Sequence, residues 1–165
     1  MKTASCGWRP VARAGALAAL ALVTACVRVM VPPHLGGLAR ERVVVGEHAA
    51  KMIAAMHGKL VAPRDSAIAE YGTRGELRLY LSRYRDRDEA REVLARMVNR
   101  MASGATPFSP PSSQGAMQGR YLTFGPGGHN VLWVAGATLY WLQGGAGNIE
   151  RALLELPAPA AGTWT

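Results

Sequence analysis

Three side chains that suit copper lie at helical spacing in one segment of the chain. His48, Met52 and Met56 are four residues apart, which places them on one stripe of a helix. Imidazole and thioether groups together are ligands for copper. Methionine also fills apolar cores, and a helix over 46–58 needs Met52 and Met56 as core contacts. We therefore expect them in the core, with copper handling as the alternative function.

Residues for hydrolysis are harder to assemble. No serine of the chain lies in a G-x-S-x-G elbow, and no G-x-x-x-x-G-K-[ST] phosphate loop is present. A catalytic pair of carboxylates would have to meet in space, and acidic residues are few. We expect no enzymatic activity and no cofactor, and an envelope hydrolase with dispersed carboxylates is the weaker alternative.

Aromatic side chains offer a binding surface. Tyr140 and Trp141 are consecutive in a predicted strand, so they point to opposite faces of the sheet. One of the two therefore lies on the face away from the expected helices. We predict a binding surface on that uncovered face, with Tyr80, Tyr84 and Tyr140 as its candidate residues.

The beginning of the chain has the pattern of an export signal. Three basic residues precede an uncharged Ala/Leu-rich run over 14–25, which is too short to span a bilayer. The sequence Val23-Thr24-Ala25-Cys26 follows and resembles the bacterial lipobox. The resemblance implies cleavage before Cys26 and attachment of diacylglycerol to its sulfur. It also implies a lipoprotein anchored in the bacterial cell membrane or outer membrane, facing the periplasm or the exterior.

Cleavage at that position changes the composition of the protein. The 165-residue chain has a net charge of +8, and removing 1–25 takes away three basic and no acidic residues, which leaves +5. The lipidated cysteine would be the only one left, so the fold relies on packing without a disulfide. Besides the membrane, an envelope protein or an anionic envelope polymer is the expected partner, and nucleic acid is not.

The chain after the signal divides into a tether, one domain and a tail. We expect a lipidated tether over 26–45, a single domain over 46–156 and a flexible tail over 157–165. Leu77, Leu79 and Leu81 alternate with polar residues and predict a strand over 76–84. Further strands are predicted over 67–71, 120–124, 129–135 and 138–143.

Two amphipathic helices complete the predicted domain. Asp86 and Glu89 have the spacing of a capping box at the start of a helix over 86–102. Asn148 is the predicted cap of a last helix over 148–156. The order predicts an α+β fold, a mainly antiparallel sheet of about five strands with helices packed on one face. The ferredoxin-like arrangement is one candidate, because the connection from 84 to 120 is long enough for a parallel crossover.

Overall fold

The computed structural model describes residues 30–57, 63–113 and 119–159, which form one sheet with three helices. The strands are β1 (His34–Leu35), β2 (Leu38–Val45), β3 (Asp65–Tyr71), β4 (Leu77–Arg83), β5 (Arg120–Gly125), β6 (Gly128–Ala135) and β7 (Thr138–Gly144). The helices are α1 (Gly46–His57), α2 (Arg87–Ala102) and α3 (Ala146–Glu155). The α+β class is confirmed.

The sheet has seven strands in the order β1-β2-β3-β4-β7-β6-β5, so the expectation of about five strands is wrong. Every pair of neighbouring strands is antiparallel. The connection through α2 carries the chain from β4 to the far edge, where β6 is the neighbouring strand of β5. The long connection is therefore not a parallel crossover, and a ferredoxin-like arrangement is not confirmed.

The two strands that the sequence did not predict lie in the expected tether. Residues 34–45 form β1 and β2, and Leu35 is fully buried, so a tether over the whole of 26–45 is wrong. In β2 most side chains are exposed or half-buried on both faces. A strand with no buried face needs no alternation of apolar and polar residues, and the sequence LARERVVV shows none.

The helices cover both faces of the sheet, not one face as expected. Ile53 of α1 and Leu94 of α2 belong to one core cluster, together with Trp141. Ile149 of α3 belongs to a second cluster, together with Leu142. Neighbouring residues of a strand point to opposite faces, so α1 and α2 pack on one face and α3 on the other. We call these the α2 face and the α3 face.

The predicted N-cap residue is found at the start of α2 but not at the start of α3. The Asp86 side chain accepts a hydrogen bond from the Glu89 backbone at 2.9 Å, which confirms the predicted cap of α2. The cap of α3 is Gly145, not Asn148, and it makes no side-chain hydrogen bond. Among the described residues, no helix is long and apolar enough to cross a membrane.

Candidate functional site

A cavity of about 460 Å³ opens on the α2 face, beside the last turns of α2. Strands β4 and β7 form its base, and the segment after α2 and the turn between β5 and β6 form its sides. We call it the aromatic pocket and define it by the residues Arg78, Tyr80, Arg100, Phe108, Trp141 and Gln143. Met97 and Met101 of α2 add apolar contacts at its inner wall.

Three aromatic rings form the apolar floor of this pocket. Tyr80 and Trp141 are register partners on β4 and β7, and their ring centroids lie 5.3 Å apart. The Phe108 ring meets Trp141 edge-on, at 5.4 Å and 72°. The Trp141 indole donates a 2.8 Å hydrogen bond to Asn130 Oδ1, and Asn130 is fully buried. This bond fixes the orientation of the central ring, because an indole N–H is a donor only.

Phe108 reaches the floor because the loop that carries it is fixed on β5. Ser109 donates its backbone N–H to Phe124 O at 2.7 Å, and Ser112 pairs with Leu122 in both directions. A Cβ at Gly125 would overlap the Phe108 ring, so glycine is required there for the ring to take its place. Edge strand β5 is thereby covered by the chain itself.

A polar row borders the floor on the side of β4. Arg78 forms a 2.7 Å ion pair with Glu70, and its Nη1 donates to Tyr80 Oη at 3.4 Å. Tyr80 Oη donates in turn to Gln143 Oε1 at 3.4 Å. Partial burial lowers the pKa of Arg78, but the interactions with Tyr80 and Glu70 raise it by more, so the guanidinium stays charged.

The Nε of Arg78 is buried and has no hydrogen-bond partner among the described residues. An aromatic floor with donors on one side suits a ligand that has an apolar body and an anionic or acceptor group. Among the described residues, no three His, Cys, Asp or Glu side chains come together as a possible metal site.

The three tyrosines predicted as a binding surface do not share one face. Tyr80 lines the aromatic pocket, while Tyr84 is buried on the same side of the sheet beneath α2, where burial raises its pKa to about 12. Tyr140 packs on the α3 face. The expectation of a common uncovered face is therefore wrong, because α3 covers the face that the sequence left open.

Tyr140 lines a second cavity, of about 520 Å³, on the α3 face. Its walls come from both ends of the described chain, with Val31 and Pro32 on one side and Leu156 on the other. Arg83 of β4 also lines it. We call it the α3-face cavity. Beside it the Tyr140 and Trp133 rings stack at 4.9 Å and 14°.

The candidate copper ligands lie on α1, as the sequence predicts, but not all in the core. Ala49 and Ile53 provide the buried stripe of this helix. His48 is exposed, and Met52 is 41% exposed, so the expectation that Met52 is a core contact is wrong. The Met56 side chain lies outside the described part of the chain.

Several pocket residues escaped the sequence analysis. Arg78 had a usable signal, since the alternation of β4 puts it on the same face as Tyr80. Phe108 had none, because it lies in a Pro/Ser-rich loop without periodicity. Cys26 and the export signal lie outside the described residues. Comparisons with family models, curated proteins and solved structures find no match to this chain.

Proposed function

We propose that this protein is a lipid-anchored lipoprotein of the bacterial cell envelope with a non-catalytic, accessory binding role. Its lipid is carried on Cys26, and its folded domain binds a ligand in the aromatic pocket. The pocket is the observation that carries the binding role. Its volume of about 460 Å³ lies within the range of small-molecule sites, about 300–1,000 Å³.

The composition of the pocket favours binding over turnover. Hydrolysis by a nucleophile requires a base within hydrogen-bond distance. The side chains that line the described pocket include arginine, tyrosine, glutamine and threonine, but no carboxylate, histidine, serine or cysteine. These groups orient and hold a ligand, and they contain no side chain that accepts a proton readily near neutral pH.

The binding role is tested with anilinonaphthalene sulfonate, which combines aromatic rings with one anionic group. We expect Phe108→Ala to weaken dye binding about three- to tenfold, the range for one aromatic pair. Phe124→Ala is the matched control, because this half-exposed ring packs on His129 outside the pocket. Equal loss in both variants, or none in either, contradicts the assignment of the pocket.

The anchor is tested separately by labelling cells with palmitate. We expect label on the native protein and none on Cys26→Ala. Label that survives this substitution contradicts lipidation at Cys26, and it leaves the assignment of the pocket untouched.

Copper handling is the second candidate, and the exposure of His48 and Met52 on α1 is the observation that favours it. The two residues are one helical turn apart, close enough for one ion. Titration with Cu(I) against a competing chelator tests it. Equal affinity for the native protein and for Met52→Leu would exclude this site.

A further inference from the structure

The chain is fixed to the fold from Val31 onwards. Val31 O accepts a 2.8 Å hydrogen bond from Arg40 Nη1, and Pro33 O accepts one of the same length from the Arg40 backbone. Pro32 O accepts a 3.0 Å hydrogen bond from Tyr71 Oη. Leu35 then enters the core of the α3 face.

This early attachment leaves very little chain between the domain and its lipid. Val31 follows Cys26 by five residues, which span at most about 18 Å even when fully extended. A compact domain of 100 residues already has a radius of gyration of about 13 Å. The side of the domain that holds Val31 therefore has to stay next to the bilayer surface.

The same side presents apolar side chains to the surroundings. Met30 and Leu154 are 90% and 89% exposed, the most exposed large apolar side chains of the described residues. Met30 lines the α3-face cavity. Leu154 does not line it, but the next two residues of the chain, Glu155 and Leu156, do. Exposed apolar groups around an apolar cavity are typical of an interaction surface.

Cationic groups accompany this apolar surface. Arg83 lines the cavity, and its Nε is buried without a hydrogen-bond partner among the described residues. The Arg120 guanidinium lies 5.5 Å from the centre of the Trp133 ring on the same face. Its Nε is also buried without a hydrogen-bond partner among the described residues. The Glu155 carboxylate also lines the cavity, and one of its oxygens accepts a 3.0 Å hydrogen bond from Gly36 N.

We propose that the α3 face docks on the surface of an anionic phospholipid bilayer. Met30 and Leu154 insert among the headgroups, and the Arg83 guanidinium binds a lipid phosphate at the α3-face cavity. This inference rests on the lipidation of Cys26 in the proposed function. The aromatic pocket lies on the opposite face of the sheet, so docking leaves it open to water.

The proposal is tested by spin labels on the acylated protein in vesicles of phosphatidylglycerol and phosphatidylcholine. The thioether on Cys26 leaves an introduced cysteine as the only reactive thiol, so Leu154→Cys and Ala95→Cys are labelled singly. Ala95 is an exposed position of α2 and serves as the matched control. We expect oxygen from the lipid phase to relax the label at 154 and an aqueous nickel chelate to relax the label at 95.

Each alternative outcome has a distinct signature. Equal accessibility of both labels to the nickel chelate overturns docking, while co-flotation with vesicles still supports the anchor. Dipolar broadening at 154 shows a second copy on this face and also overturns docking. A protein that neither floats nor carries lipid overturns both the anchor and the docking.

The role of Arg83 has its own measurement. We expect Arg83→Gln to reduce oxygen accessibility at 154 in vesicles with phosphatidylglycerol and not in pure phosphatidylcholine. Because phosphatidylcholine also carries a phosphate but no net charge, an equal response in both lipids contradicts a contact that depends on an anionic headgroup. Arg87→Gln, on the opposite face at the start of α2, controls for the loss of one charge.

Discussion

Replacement of Asn130 by Val tests whether one buried hydrogen bond holds the floor of the aromatic pocket. Asn130 is fully buried, and its Oδ1 accepts the 2.8 Å bond from the Trp141 indole. Its Nδ2 donates to Gly128 O at 2.9 Å, at the exposed start of β6, where water can take its place. Valine is close to asparagine in size and suits a strand, so the main loss is the acceptor for the indole.

The expected effect follows from the burial of that indole. An unsatisfied buried donor costs about 1–3 kcal/mol, whereas the solvated Gly128 carbonyl adds little. We therefore expect Asn130→Val to lower the free energy of unfolding by about 2 kcal/mol. That is a large part of the 5–15 kcal/mol that is typical of a domain.

A double-mutant cycle separates this bond from changes in packing. Trp141→Phe has no N–H to satisfy, so Asn130→Val should cost about 1–2 kcal/mol less in that background. Any misfit of the valine is present in both backgrounds and cancels. Urea denaturation followed by far-ultraviolet circular dichroism gives the four stabilities without relying on tryptophan fluorescence. Equal cost in both backgrounds, within about 0.5 kcal/mol, refutes the reasoning.

Three further predictions concern the pH dependence of stability and the space available for a Cβ at one glycine. The cap hydrogen bond lowers the pKa of Asp86, so its stabilisation is present above the ordinary carboxyl pKa and lost as pH falls through the lowered value. Asp86→Ala should therefore have a lower melting temperature than the native protein at neutral pH and the same melting temperature in acid. Thermal scans in which the two proteins differ at every pH contradict this. Burial raises the pKa of Tyr71 and of Tyr84 to about 12, so stability should be full below pH 10, the ordinary value, and lost towards pH 12. Alkaline titration followed by circular dichroism checks this, and Tyr84→Phe should move the transition to higher pH. A Cβ at Gly144 would lie 2.6 Å from a backbone carbonyl oxygen, so Gly144→Ala should cost about 1–3 kcal/mol in urea denaturation. Gly147→Ala, inside α3, meets only the Arg151 side chain at 3.7 Å and should not destabilise the protein.

The sequence predicted the elements whose burial is one-sided or whose ends are capped by side chains. The Asp86 carboxylate marked the start of α2, because it accepts from a backbone N–H that has no partner inside the helix. The alternation of leucines in β4 marked a strand, and those leucines pack together on the α3 face. An N-cap residue and an alternating strand can be recognised within one segment, without knowing which element packs against it.

The faces themselves could not be predicted, because they depend on which elements meet across the sheet. The stripe of Ile149 and Ala152 predicts that α3 buries one side, and it says nothing about which face of the sheet receives it. The aromatic pocket could not be predicted from the sequence for the same reason. Arg78 and Phe108 are thirty residues apart and meet only because a loop pairs with an edge strand.

The unequal covering of the two faces makes the start of the described chain part of the core of the α3 face. Seven strands about 4.8 Å apart make a sheet roughly 29 Å wide, while one helix is about 10–12 Å across. Two helices share the α2 face, but α3 alone cannot cover the other. Residues 31–35 and the segment after α3 fill part of the remainder, and Leu35 is a core residue of this face. With the lipid that we propose on Cys26, a force on the lipid would reach the domain through Val31 and Pro32, whose carbonyls accept hydrogen bonds from Arg40 and Tyr71.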